Sequence, residues 1–269
     1  LGFLILACVV VVAKAKIGRD AETVWLFGIG AMRTSNLTKA IVSKSRIIER
    51  VKALDLPSVK LLLDGKPALL RVTDREGRNL LHVACSVPSA KGVPAAAAAR
   101  IVNFLLDRGL EIDTPVGRES CTALFFAVAR ARNRTLVRLL LKRGAKVTSA
   151  PGGGLYAAGW WEDLGILRLL IDAGAPIDTA DDMTPFLACW CWKKFEAAKF
   201  LAASGADVNH QDAKGKTALH YGVEKEFEPA RLKWLVKHGA SADVQDHNGV
   251  SPRSRASRKR DKRFTAALA

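Results

Sequence analysis

Six glycines, Gly65, Gly109, Gly144, Gly174, Gly205 and Gly239, each close a Leu-Leu-x-x-Gly stretch or a near variant of it. After a first interval of 44 residues they stand 30 to 35 apart. Glycine adopts a left-handed backbone without steric cost, so at the end of an apolar run each one reads as a helix stop. Self-similarity with a period of about 33 residues points to a stack of two-helix units joined by hairpins, each burying its apolar face against its neighbours. For a chain of 269 residues this predicts one elongated body without a central core.

Each unit also opens on a signature. The fullest is Asp212-Ala213-Lys214-Gly215-Lys216-Thr217-Ala218-Leu219-His220, where Asp-x-x-Gly makes a turn, Thr217 is placed to cap a helix, and Ala218 and Leu219 begin its packed face. Worn copies read Asn79-Leu80-Leu81-His82, Thr122-Ala123-Leu124-Phe125, Gly153-Gly154-Leu155-Tyr156, Thr184-Pro185-Phe186-Leu187 and Ser251-Pro252. Spacing and signature together resemble the ankyrin repeat over residues 44–269. The resemblance implies an all-α ankyrin-repeat solenoid of stacked helix-turn-helix units with short hairpin loops, about six repeats plus caps. Residues 1–43 are expected to lie outside the stack. It further implies structural roles for His82 and His220, which would hydrogen-bond inside the turn, for Thr122, Thr184 and Thr217, and for Gly109, Gly144, Gly174, Gly205 and Gly239. Phe125, Tyr156 and Leu187 take the histidine slot elsewhere, so those turns are expected to be held by packing.

The ends and joints can be read as well. Apolar positions at helical spacing from Lys44 to Leu63 suit an N-terminal cap, whose outer side faces solvent. Val87 to Pro94 is an insertion, and the openings at Pro151-Gly152-Gly153-Gly154 and between Gly174 and Thr184 are clipped hairpins. Arg253 to Arg263 carries seven basic residues against one acid, but Phe264, Ala267 and Leu268 follow at helical spacing, so the segment reads as a C-terminal cap rather than a nucleic-acid patch. Leu1 to Ala13 is apolar and shorter than the roughly 20 residues of a membrane span. It reads either as the fragment of a signal or anchor, with Lys14 and Lys16 at the headgroups, or as residues ahead of a start at Met32.

Lys and Arg outnumber Asp and Glu by 42 to 26, a net charge of +16 that favours acidic partners. Five scattered cysteines make no disulfide framework and suit a reducing compartment, so a cytoplasmic location is expected, with membrane association through the apolar N-terminal stretch as the alternative. No chemistry assembles. Gly215-Lys216-Thr217 lacks the first glycine and the strand of a phosphate loop. Cys189 and Cys191 have no companions at zinc spacing, and the five histidines fall in different units without a nucleophile or carboxylate. No enzyme activity, cofactor or metal is expected.

What remains is recognition. In the resemblance, the end of each first helix belongs to the surface used for binding, and there the sequence places Trp160, Trp161 and Trp192, with Met183 at the preceding hairpin. Arg75, Arg78, Arg118 and Arg130 flank them on one side, Lys214, Lys216, Glu224 and Lys225 on the other. The expectation is a monomeric, non-catalytic scaffold that binds an acidic partner protein through its concave face, with tryptophans at the centre and cations at the rim. The competing reading folds the three rings into the core beneath the clipped hairpins. A membrane-tethered scaffold and a nucleic-acid-associated regulator acting through the basic C-terminal segment are the alternatives of other classes.

Overall fold

The computed structural model describes residues 43–88, 94–147, 154–178 and 183–269. The apolar N-terminal stretch, the tip of the insertion and the tips of both clipped hairpins lie outside them. The described residues form helical pairs. The first pair is α1 (Lys44–Lys52) and α2 (Leu56–Gly65), followed by α3 (Leu80–Cys85) with α4 (Ala96–Asp107) and α5 (Ala123–Phe126) with α6 (Arg134–Lys142). Next come α7 (Gly154–Trp160) with α8 (Leu164–Asp172), α9 (Pro185–Cys191) with α10 (Phe195–Ala203), α11 (Ala218–Glu224) with α12 (Pro229–Lys237), and the terminal α13 (Pro252–Ser257) with α14 (Arg263–Ala267). The first helices of successive pairs stack on one another in an inner layer, and most second helices do so in an outer one.

Each helix forms for local reasons. Asn79, Thr184 and Ser251 accept a backbone N–H three residues on, closing α3, α9 and α13 at their starts. Leu136, Val137 and Leu140 put one stripe of α6 into the interior, as Ile166, Leu167 and Leu170 do in α8. Burying such a side chain contributes about 1.5–3 kcal/mol, so the two layers are held by the apolar seam between them. Gly109, Gly144, Gly174, Gly205 and Gly239 all have φ between 84° and 100°, the left-handed stop the repeat requires. Gly65 differs: it is the last residue of α2 without a positive φ, and Lys66 caps the helix instead.

One inner helix departs from the pattern. After Phe126, α5 widens into a π-helical stretch, Ala127–Ala131, ended by Arg132 in the left-handed region at φ 48°. Arg132 stands one residue further from Thr122 than Lys193 does from Thr184 or Glu226 from Thr217, and these three hold the same left-handed joint. The π turn therefore houses a single inserted residue. Its backbone shows the change: Asn133 N–H reaches back to the carbonyl of Ala127, at 3.3 Å.

Beyond Pro252 the basic segment forms α13 and α14 as the apolar spacing predicts. Phe264, Ala267 and Leu268 are buried against the last pair. Its cations are largely neutralised within the chain: Arg253 binds Asp243 at 2.7 Å, Lys259 binds Glu226 at 2.6 Å, Arg263 binds Asp261 at 2.8 Å, and Arg255 joins Glu224.

Candidate partner-binding site

The hairpin end of the inner layer is built from carboxylates. Asp74 accepts the N–H groups of Glu76 and Arg78 at 2.9 and 3.0 Å, Asp212 those of Lys214 and Lys216 at 2.9 and 2.8 Å, and Asp246 those of Asn248 and Val250 at 2.9 and 3.1 Å. Burial works against ionised Asp74 and Asp212. For Asp74 the Arg78 guanidinium and backbone donors outweigh it, for Asp212 the Tyr221 hydroxyl and the two lysine N–H groups, and both carboxyls stay below the usual range. Two of the cations read as rim charges are consumed here. Arg78 pairs with Asp74 at 2.8 Å and Glu76 at 3.2 Å, and Lys216 pairs with Glu224 at 2.7 Å, each with only 18% of its side chain exposed. They lock turns and hold little charge out to solvent, whereas Arg75, Arg118 and Lys214 are exposed.

Histidine ties successive units together. His82 accepts the Asn79 N–H at 3.3 Å through Nδ1 and meets the carbonyl of Thr114 at 2.9 Å through Nε2; His220 accepts the Thr217 N–H at 3.0 Å and meets the carbonyl of Val250 at 2.9 Å. An imidazole that accepts at Nδ1 and donates at Nε2 is neutral, and burial depresses the pKa of both rings. The sequence expectation for the worn turns needs one correction. Tyr156, in the histidine slot of α7, donates its hydroxyl to the carbonyl of Met183, the residue ahead of the next cap, as Val250 is for His220. Its longer side chain spans the gap that the imidazole spans elsewhere, so this joint is hydrogen-bonded as well as packed.

The opposite end of the inner layer is aromatic. Trp160 ends α7, Trp161 follows it and Trp192 caps α9; they are 46%, 46% and 39% exposed, so the rings do not fold into the core. The ring that does is Trp190, 1% exposed, which packs among Phe186, Phe195 and Phe227. Trp160 and Trp192 meet edge to face at 5.1 Å. Trp161 reaches across to the preceding pair, donating its indole N–H to the carbonyl of Ala129 at 3.2 Å, a group in the π turn. Between α7 and α9 the approach is close, because a side chain on Gly159 would collide with Cys189 Sγ.

This places the predicted site residues in two groups. Arg75, Arg118 and Lys214 precede the inner helices, while Trp160, Trp161 and Trp192 follow them, about 10 Å away along helices of seven residues. Met183 lies at the hairpin end and offers its carbonyl to Tyr156. Of the predicted cations, Arg130, next to Ala129, and Lys225, which donates to the carbonyl of Cys191 at 3.2 Å, stand at the tryptophan end. Those that actually cover the rings were missed: Arg132 lies over Trp161 at 4.5 Å and Lys194 over Trp160 at 5.5 Å. The available signal was their position at the joint between first and second helix.

Cys85, Cys121, Cys189 and Cys191 are free; burial pushes Cys189 up to about 12 and Cys191 to about 11. Among the described residues no cluster of ligating side chains could hold a metal ion, and no helix is long and apolar enough to cross a membrane.

Three copies of a family model described as ankyrin repeats match residues 51–150, 155–246 and 186–268. The chain belongs to the ankyrin repeat family. Over 160 residues it is 28% identical to the E3 ubiquitin-protein ligase KEG of Arabidopsis thaliana, a match covering 55% of this chain and 10% of that one. Three of its curated relatives are far longer, the chain spanning 10%, 20% and 27% of them. The ankyrin repeat domain of Bcl-3, described as a member of the IkappaB protein family, superposes with a TM-score of 0.68 at 21% identity over 82% of this chain and 96% of that one. The human ASB11 ankyrin repeat domain gives 0.65 at 20% identity, over 82% and 95%. At such identities the likeness concerns the fold. Ankyrin repeats are protein–protein interaction modules and are generally non-catalytic.

Proposed function

We propose that this ankyrin array is a cytoplasmic, non-catalytic scaffold that binds a protein with an acidic, partly apolar face, and that the binding surface centres on Trp160, Trp161 and Trp192. The observation that carries the reading is the group of three large rings at one end of the inner layer, each roughly half exposed and flanked by cations. Trp160 and Trp192 meet edge to face across neighbouring units, while Trp161 reaches the preceding unit. Large exposed apolar groups are uncommon on a monomer unless something covers them, and tryptophan at a desolvated interface centre typically costs 2 kcal/mol or more on truncation. The net charge of +16 supports an acidic counterpart. Nucleic acid is the weaker reading, since the C-terminal basic segment is an ion-paired cap.

The test is a partner captured by the intact chain, with affinity measured for Trp160→Ala/Trp161→Ala/Trp192→Ala and for a hairpin variant, Arg75→Gln/Arg118→Gln/Lys214→Gln, at two salt concentrations. The tryptophan variant is expected to fold, by circular dichroism, and to lose binding about 30-fold or more. The hairpin variant should lose much less and only at low salt. Unchanged affinity in the folded tryptophan variant refutes the proposal.

A further inference from the structure

We infer that the partner enters this surface as an extended, acidic segment lying across the C-terminal ends of the inner helices, with acidic side chains near every third position and an apolar one over the tryptophans. The inference rests on the reading above and specifies the form and spacing of what binds. Its basis is a row of cations distinct from those at the hairpins. Arg132 lies over Trp161 at 4.5 Å, Lys194 over Trp160 at 5.5 Å, Lys193 over Phe227 at 5.6 Å and Lys225 over Tyr221 at 5.4 Å. All four occupy the ends of inner helices or the joints that follow them.

These cations are held in place, Lys225 also by donating to the carbonyl of Cys191 at 3.2 Å, and none is neutralised by an acid. Among the described residues none of the four has a carboxylate within 4.0 Å, although the array pairs most of its C-terminal arginines and lysines. The acids of the same edge are engaged elsewhere: Glu162 accepts the N–H of Glu196 at 3.3 Å, and Glu226 holds Lys259 at 2.6 Å. Lys259 neutralises Glu226, while Glu162 accepts only a backbone N–H and keeps its charge, so the edge carries one free acid against four cations and is net positive. A cation resting on an aromatic face loses less freedom on binding a carboxylate than a free side chain does, and guanidinium stacked on a ring keeps its N–H edge open.

Spacing selects the shape of the ligand. Neighbouring helices pack about 8–10 Å apart, and an extended chain rises about 3.3 Å per residue, so one ankyrin unit corresponds to about three residues. Arg132 belongs to the α5 unit, Lys193 and Lys194 to the α9 unit and Lys225 to the α11 unit. The row spans three unit steps, and the α7 unit, which supplies no cation of its own, is covered by Lys194 lying over Trp160. A helix rises about 1.5 Å per residue and would bring acids to these cations only at wider and changing intervals. Single-stranded nucleic acid needs open ring faces for stacking. Trp161 and Trp160 each already carry a cation on a face, and the Trp160–Trp192 contact takes up an edge, which favours carboxylates.

The experiment titrates the full chain, by calorimetry and tryptophan fluorescence, with a synthetic peptide of about twelve residues bearing Asp at every third position and Leu at its centre. A scrambled peptide of identical composition and a single-stranded oligonucleotide of equal charge are the comparisons. The spaced peptide is expected to bind about tenfold tighter than the scrambled one and to shift the tryptophan emission. Arg132→Glu/Lys194→Glu should abolish that preference, while Lys214→Glu at a hairpin should keep it. A peptide with Lys in place of Asp should in turn favour the charge-reversed variant, which shows that the variant is folded and the contact direct. Equal binding of spaced and scrambled peptides, or indifference to the reversal, overturns the inference. Preferential binding of the oligonucleotide overturns it too. If a captured partner still depends on the tryptophans while spacing is irrelevant, the proposed function stands and the extended register alone is wrong.

Discussion

The flanks and the centre of the array hold their turns by different means. In the flanks, Asp74 with His82, Asp212 with His220, and Asp246 build polar turns in which nearly every donor meets an acceptor inside the chain. In the centre, the α5, α7 and α9 units have lost the histidine, and large rings and cations gather at the other end of their helices. A unit that satisfies its own polar groups has little left to offer a ligand. The worn centre retains exposed apolar area and uncompensated charge, so the region furthest from the repeat signature is the one with recognition chemistry.

The largest effect is expected from Trp190→Ala. This ring is core to the α9 unit, and its removal should cost about 3–5 kcal/mol in urea unfolding. Trp160→Ala, one unit earlier and half exposed, should cost well under half of that. Equal losses would mean that the exposed cluster is structural after all. In the flanks, His220→Ala leaves the Thr217 N–H and the Val250 carbonyl without partners and should cost about 1–3 kcal/mol while leaving any partner affinity intact at low temperature. At the centre, Tyr156→Phe removes a single hydroxyl bond to Met183, and a loss of about 0.5–1.5 kcal/mol is expected. No loss would return that joint to packing alone.

Acidity sharpens the same contrast. Burial keeps the His82 and His220 imidazoles below their ordinary pKa, so below about 6.5 the unfolded chain takes up protons that the folded array refuses. Their contribution is complete above about pH 6.5 and is lost as pH falls through that value toward the lower folded one. Melting temperature should therefore fall between pH 7 and 5, and less so in His82→Ala/His220→Ala; an equal fall in both proteins would assign the effect to other groups. The smallest effect belongs to Lys216→Gln. Its pair with Glu224 sits at a half-buried turn, and the change should stay within about 1 kcal/mol, measured by the same unfolding.

The frame was legible because it repeats. Closing glycines, capping residues and the histidine slot recur often enough that errors in one copy are corrected by the others, and the C-terminal cap followed from the spacing of Phe264, Ala267 and Leu268. What stayed hidden depended on contacts between units. Nothing local in Arg78 or Lys216 tells that a carboxylate consumes their charge, and Tyr156 gives no sign that its hydroxyl reaches Met183. Position in the repeat marks the tryptophans, whereas Arg132 and Lys194 come to lie over them through contacts between units that no local pattern shows. Arg132 was obscured further by the residue inserted before it.

That inserted residue has a consequence for the whole array. In an α-helix one added residue turns everything beyond it by about 100°, which would swing the apolar stripe of α6 away from the layer it must join. The π turn absorbs the rotation within Ala127–Ala131, so α6 still turns Leu136, Val137 and Leu140 inward. The same turn offers the carbonyl of Ala129 to the Trp161 indole N–H. A shift of reading by one position, harmful almost anywhere else in a stacked protein, has here become the fitting that sets the angle of an exposed ring.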